Sequence, residues 1–159
     1  MAGKKAEDLD ERIGYYGEKL VLLAQQIGMN SCWAGVSYRK VRGTYSLKND
    51  EKIVCYIAIG YGLSQGVQHK SKSLEDLSNI DSLSPSWFKN GVEAARLAPT
   101  AINQQKFFIE YLGKREEEGL PEVRIRKGTS IVGYTQIDMG IAKLHFEIGA
   151  GKENFNWAE

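Results

Sequence analysis

The segment Arg96-Leu-Ala-Pro-Thr-Ala-Ile-Asn-Gln-Gln-Lys106 constrains the fold of this chain more than any other stretch. A helical pattern from Ser86 to Ala98 runs straight into Pro99. Proline lacks the N–H that a helix needs, and it drives the residue before it out of the helical region. The chain must turn sharply at one defined place, and Thr100, Asn103 and Gln105 follow at once. Polar side chains presented together at a fixed exit suit the gripping of a planar ligand with hydrogen-bonding edges. The same residues also suit a plain helix-to-strand turn whose polar groups satisfy nearby backbone.

Hydrophobic periodicity supplies the elements around this bend. Residues 8 to 28 carry Ile13, Tyr16, Leu20, Leu23 and Ile27 at steps of three and four, which predicts an amphipathic helix ended by Gly28. Ser31 to Val36 is a strand or the turn after that helix, and residues 37 to 52 read mainly as loop. The apolar run Ile53 to Ile59 predicts a central strand covered on both faces. Residues 63 to 83 form a polar connector, and Ser84-Pro85 reads as a cap followed by proline at the first helical position. Phe107 to Leu112 and Glu122 to Lys127 look like strands, the second with Val123 and Ile125 inward. Ile137, Ile141, Leu144 and Ile148 place a last helix over about Gln136 to Gly149. The expected fold class is α+β, helices packed on a mixed sheet, in one domain spanning 1–159.

A domain of this length buries about two-thirds of its unfolded surface. The formal charge of +1 gives no electrostatic reason to expect nucleic acid or an anionic membrane as partner. Cys32 and Cys55 make no disulfide framework and read as reduced thiols of a cytoplasmic protein. No apolar run reaches the length of a membrane span, and Met1-Ala-Gly-Lys-Lys5 lacks the apolar core of a signal peptide.

Three further patterns carry chemistry. In Ile27-Gly-Met-Asn-Ser-Cys-Trp-Ala-Gly35 a helix end runs into small residues, so backbone at Gly28, Ser31, Ala34 and Gly35 can approach a ligand closely, while Trp33 equally suits a core anchor. His69-Lys-Ser-Lys72 puts Lys70 and Lys72 around a serine, which suits a phosphate or a solvated charge run. Asp138 and His145, seven residues apart on the last helix, read as a helix-start charge and a partly buried histidine. Gly60-x-Gly62-x-x-x-Gly66 has the wrong spacing for a dinucleotide loop and opens no helix. His69, His145, Cys32 and Cys55 show no paired metal-ligand spacing, and Cys32 has no adjacent base to make it a nucleophile.

Taken together, these patterns resemble a known family. Gly-Tyr-Tyr-Gly-Glu-Lys-Leu-Val-Leu (14 to 22), Gly-Met-Asn-Ser-Cys-Trp (28 to 33) and Ile-Ala-Ile-Gly-Tyr-Gly (57 to 62) are similar to the later half of FMN-dependent nitroreductases. There a helix, a "Gly-Leu-Gly-x-Cys-Trp" turn and a strand ending in "Ile-Gly-Tyr" recur. His69-Lys-Ser-Lys72, the Pro99 segment with its Ala-Pro-Ser/Thr-x-x-Asn-x-Gln form, and Asp138-x-Gly-Ile-Ala-x-x-His-Phe146 extend the likeness over about residues 10 to 150. It points to the subgroup in which one chain holds two related halves and mimics the usual homodimer.

The resemblance implies a nitroreductase-like sandwich with FMN at the junction of two halves. Electrons would pass from NAD(P)H through the flavin to nitroaromatic or quinone-like acceptors, small aromatic molecules. Carried over by position, Pro99, Thr100, Ala101, Asn103 and Gln105 would contact FMN, Cys32, Trp33, Ala34 and Gly35 would lie near its ring, and Lys70 with Lys72 would neutralise its phosphate. No acid–base residue is implied as catalytic, because the cofactor carries the chemistry. Family members open with an Arg-Arg-Ser-x-Arg stretch that binds the phosphate, and nothing like it precedes residue 8. The implied chain is N-terminally incomplete, with a homo-oligomer or a pairing with the missing half expected. Losing two charge-assisted phosphate contacts, each worth about 1.5–3 kcal/mol, would weaken FMN binding roughly a hundredfold or more. The contrasting expectation is a non-catalytic domain that holds flavin or another phosphorylated ligand, or that only dimerises.

Overall fold

Helix α4, Thr135–Ala150, is the element around which a computed structural model of the chain is organised. The structure describes residues 1–158 except 36, 37, 40, 42, 116–118 and 131. Helix α1, Leu9–Gln26, packs along one side of α4, and α3, Ser86–Ala95, along another. The α1/α4 crossing is backbone against backbone. A Cβ on Gly14 would lie 2.0 Å from the carbonyl oxygen of Ile137, and one on Gly140 would lie 1.9 Å from that of Glu11. Small residues on both helices are what let them meet so closely.

That contact corrects the face expected of α1. The helix turns Leu9, Ile13, Gly14, Gly17 and Ala24 inward, and leaves Tyr16, Leu20, Leu23 and Ile27 exposed. Periodicity finds the apolar stripe, but glycine decides which side can reach α4. The helix stops at Gly28, whose φ of 79° is open to glycine, with Met29 N–H bonded to the Ala24 carbonyl and Gly28 N–H to that of Gln25.

The strands form three small sheets in place of one. Strand β1, Ala2–Lys4, pairs antiparallel with β3, Glu51–Ile53, and β2, Asn30–Ala34, pairs antiparallel with β4, Tyr56–Gly60. The expected central strand Ile53 to Ile59 is therefore two strands. Between them Val54 N–H bonds to the Met1 carbonyl and the Met1 amino group donates to the Cys55 carbonyl, so the chain changes partner there. Ala58 and Ile59 are exposed, and no strand covers β4 on its far edge among the described residues.

In the third sheet β5, Phe107–Gly113, pairs antiparallel with β6, Glu122–Lys127, which pairs parallel with β7, Asn156–Trp157. Val123 and Ile125 face inward as the alternation predicts. Phe88, Phe146, Phe155 and Trp157 join this sheet to α3 and α4 in an aromatic cluster with ring centroids 5.1–5.7 Å apart. The polar connector holds a single turn, α2, Leu74–Leu77, capped by the Ser73 hydroxyl.

Two helix boundaries differ from the expected ones. Pro85, not Ser84, is the N-cap of α3, since its carbonyl accepts from Lys89 N–H, while the Ser84 hydroxyl donates to Asp81. Helix α3 ends at Ala95, and Leu97 and Ala98 close a tighter turn by bonding three residues back before Pro99. Ile148 is the one exposed residue of α4, whereas Ile137, Ile141 and Leu144 of the expected face are buried. Val36, placed in the expected second segment, lies outside the described residues.

Candidate functional site

After α3 the chain makes a single turn at Ala101–Asn103 that departs from ordinary helical geometry. Ile102 has φ 49° and ψ 26°, and Asn103 and Gln105 have φ of 56° and 46°. Left-handed backbone is unfavourable for residues with a Cβ, most of all for a β-branched one. Hydrogen bonds from two directions hold it. From α4, Asp138 Oδ1 accepts the Ala101 N–H at 3.0 Å and Oδ2 accepts the Gln104 side-chain amide at 2.6 Å. From the connector, the amides of Asn103 and Gln105 donate to the Lys70 carbonyl at 2.9 and 3.0 Å. Lys72 donates its backbone N–H to Gln105 Oε1 and its ammonium to the Gln105 carbonyl, at 2.8 and 2.7 Å.

Beside the bend lies a cleft of about 250 Å³. Pro99, Thr100, Ala101 and Ile102 form one wall. Trp33, Ala34 and Gly35, at the end of β2, form the second with Cys55. Val132, Tyr134, Ile137, Asp138 and Ile141, leading into and along α4, complete it. The lining is mainly apolar, as small-molecule sites are. Gly35 is needed here, because a Cβ on it would lie 2.8 Å from the Tyr134 ring. Trp33 is fixed by its indole N–H, which donates to Glu18 Oε2 at 3.2 Å, and Glu18 Oε1 in turn lies 2.9 Å from His145 Nε2.

The structure thus gathers Trp33, Ala34, Gly35, Pro99, Thr100 and Ala101 at one cleft. Cys32, Asn103, Gln105, Lys70 and Lys72 do not line it. Cys32 is exposed on β2. Gln105 is 4% exposed and its amide is committed to Lys70, Asn103 and Lys72, so it stabilises the bend from within. Asp138 does sit in the first turn of α4, but its carboxylate serves the bend more than the helix end. Burial pushes its pKa above the ordinary carboxylate range, against the lowering effect of the Ala101 and Gln104 bonds. Burial likewise raises the Cys55 thiol. Sequence reasoning missed Ile102, Tyr134, Ile137 and Ile141 as cleft walls. Gly133-Tyr134 just before a helix start was the available signal for Tyr134, which caps α4 with φ 60°.

The chain is thus an α+β domain with a cleft between a helix end and a glycine-lined strand end. The family described as "Putative TM nitroreductase" matches residues 1–150, and the chain belongs to that family. A crystal structure of a putative nitroreductase from Thermotoga maritima is similar in fold, with a TM-score of 0.68 at 23% identity. The match covers 96% of this chain and 60% of the Thermotoga chain, so this chain spans well under the full length of that relative. A comparison with curated proteins finds no match. Among the described residues no helix is long and apolar enough to cross a membrane.

Proposed function

We propose that the cleft receives the isoalloxazine ring of FMN and that the protein is a flavin-dependent oxidoreductase, taking electrons from NAD(P)H and passing them to nitroaromatic or quinone-like acceptors. The observation that carries this reading is the meeting of Trp33, Ala34 and Gly35 with Pro99, Thr100 and Ala101 around one apolar opening. The residues present fit the ring. Trp33 and Tyr134 offer flat faces, Gly35 gives room for close backbone approach, and Thr100 Oγ1 donates to no protein acceptor among the described residues. When bound, FMN supplies the hydride and electron transfer. The chain's own contribution is to orient the ring between the bend and α4 and to keep water from its apolar face.

The cleft is smaller than the roughly 300–1,000 Å³ of whole-ligand sites. It suits the ring and leaves the phosphate to groups outside it. Lys72 already uses its ammonium on Gln105, which makes Lys70 the better phosphate candidate of the pair. A cytoplasmic setting accords with two free cysteines and a nicotinamide donor. The test is FMN titration followed by NAD(P)H oxidation. Stoichiometric uptake with turnover above free flavin supports the reading, and no uptake at high FMN rejects it.

A specific observation favours a second reading, a domain that associates before it functions. Tyr16, Leu20, Leu23 and Ile27 form an exposed apolar stripe on α1. Such a face suits a second copy of the chain or a polypeptide supplying the remainder of the relative's length. FMN binding without turnover, together with dimers in light scattering, selects this reading.

A further inference from the structure

The bend at 101–105 poses a physical question that the cleft alone does not answer. Ile102 is β-branched, left-handed in φ and ψ, and 76% exposed. Its side chain gains little from protein packing, so nothing about Ile102 itself favours this conformation. Strained backbone of this kind persists only where surrounding contacts over-determine it. Asn103 and Gln105 are held from the connector side by Lys70 and Lys72. On the cleft side the holding group is Asp138, 1% exposed, with each carboxylate oxygen accepting one bond from the bend.

The grip is reinforced through Gln104. Its amide nitrogen also donates to the Gly133 carbonyl at 3.1 Å, and its oxygen accepts from the Ser130 hydroxyl. A buried carboxylate is costly, and helix-start electrostatics do not need one that faces inward. The bonds to Ala101 and Gln104 give it a purpose.

We infer that Asp138 is a positioning residue. It clasps the strained bend against α4, so that Pro99 to Ala101 form the cleft wall and the Ile102 side chain stands uncovered at its lip, ready to be covered by a planar ligand. Asp138 lines the cleft, and each of its oxygens is committed to the bend, so its role is to hold the wall in place. The bend geometry is independent of any cofactor, whereas the ligand consequence rests on the FMN reading.

The test compares wild type with D138A and D138N, by amide hydrogen exchange of the apo protein and by FMN titration. The informative amides are Asn103, Gln104 and Gln105, which bond to the Thr100 carbonyl, the Ala101 carbonyl and the Thr100 hydroxyl and never to Asp138 itself. In D138A these amides exchange at least about tenfold faster while β5 and the rest of α4 are unchanged, and FMN affinity falls about tenfold or more. D138N lies between, because the asparagine oxygen keeps the Ala101 bond and Gln104 must turn its amide to keep the other. Bend amides protected as in wild type overturn the clasp, and so does undiminished FMN affinity with a loosened bend. Should D138A fail to fold, D138N with wild-type exchange and affinity overturns it equally. If wild type takes up no FMN, the cofactor reading fails, and amide exchange still decides the clasp.

Discussion

Glu18 and His145 meet at 2.9 Å between α1 and α4, and the second oxygen of Glu18 holds the indole N–H of Trp33. One buried carboxylate therefore joins the two central helices to the cleft wall. Glu18→Ala leaves an imidazole and an indole without their acceptor in a site 1% exposed at residue 18. The expected loss is about 2–4 kcal/mol, from two unsatisfied groups at about 1–3 kcal/mol each with partial relaxation. Urea unfolding measures it, and Glu18→Gln should recover more than half.

The Gly140 contact with α1 gives a sharper test of the core. A methyl there would stand 1.9 Å from the Glu11 carbonyl, and a backbone atom cannot swing aside as a side chain does. Gly140→Ala should destabilise by about 3 kcal/mol or more despite the better helix propensity of alanine, which is worth about 1 kcal/mol. A thermal midpoint equal to wild type contradicts the backbone-to-backbone contact of α1 and α4.

Stability should depend on pH through Asp138 with an unusual sign. Its folded pKa is raised by burial, so the folded state holds the proton at pH values where the unfolded chain has already released it. Its favourable contribution is complete below the ordinary carboxylate range and is lost as pH rises through the raised folded value. Cys55, the thiol in the cleft wall, is raised by burial and so stays neutral across that window. Asp138→Asn removes the effect. The stability difference between variant and wild type should move in favour of the variant as pH climbs from acid to neutral, read by denaturant midpoints at stepped pH.

Ile102→Gly separates strain from function. Glycine accepts φ near 49° without a Cβ clash, while it adds unfolded-state freedom, so stability should change by less than about 1 kcal/mol. FMN affinity should nevertheless fall several-fold, because the exposed side chain at the cleft lip is gone. Calorimetry beside flavin titration reports both quantities on one sample.

The α1 stripe predicts self-association. Leu20 and Leu23 are 45% and 52% exposed, so Leu20→Glu with Leu23→Lys should leave the monomer's unfolding midpoint within about 0.5 kcal/mol of wild type. Light scattering should show wild type larger than the double variant at the same concentration. A wild-type monomer at high concentration contradicts the association.

Much of this molecule was legible in its residues, and the failures share a cause. Pro99 marks the bend and the Trp33 segment marks the facing wall because both signals are local. The spacing of Ile137 and Ile141 marks a helix, yet nothing local shows that their side chains also wall a cleft. Asp138 reads as a helix-start charge because its true partners, Ala101 and Gln104, are more than thirty residues away. Asn103 and Gln105 have the right chemistry for a ligand, and the protein uses it on Lys70 and Lys72. The stripe on α1 is periodic as expected, but Gly14 and Gly140 choose the face that goes inside.

The ribbon of β2 and β4 has only two strands, and such a pair is marginal by itself in water. It leans on α1, to which Trp33 is tied through Glu18. Whatever melts the first helix should melt this ribbon in the same step, while β5 and β6, seated on the aromatic cluster, outlast both. One wall of the cleft therefore stands on a two-stranded ribbon and another on α4, and α1 braces both, through Glu18 on one side and Gly14 on the other.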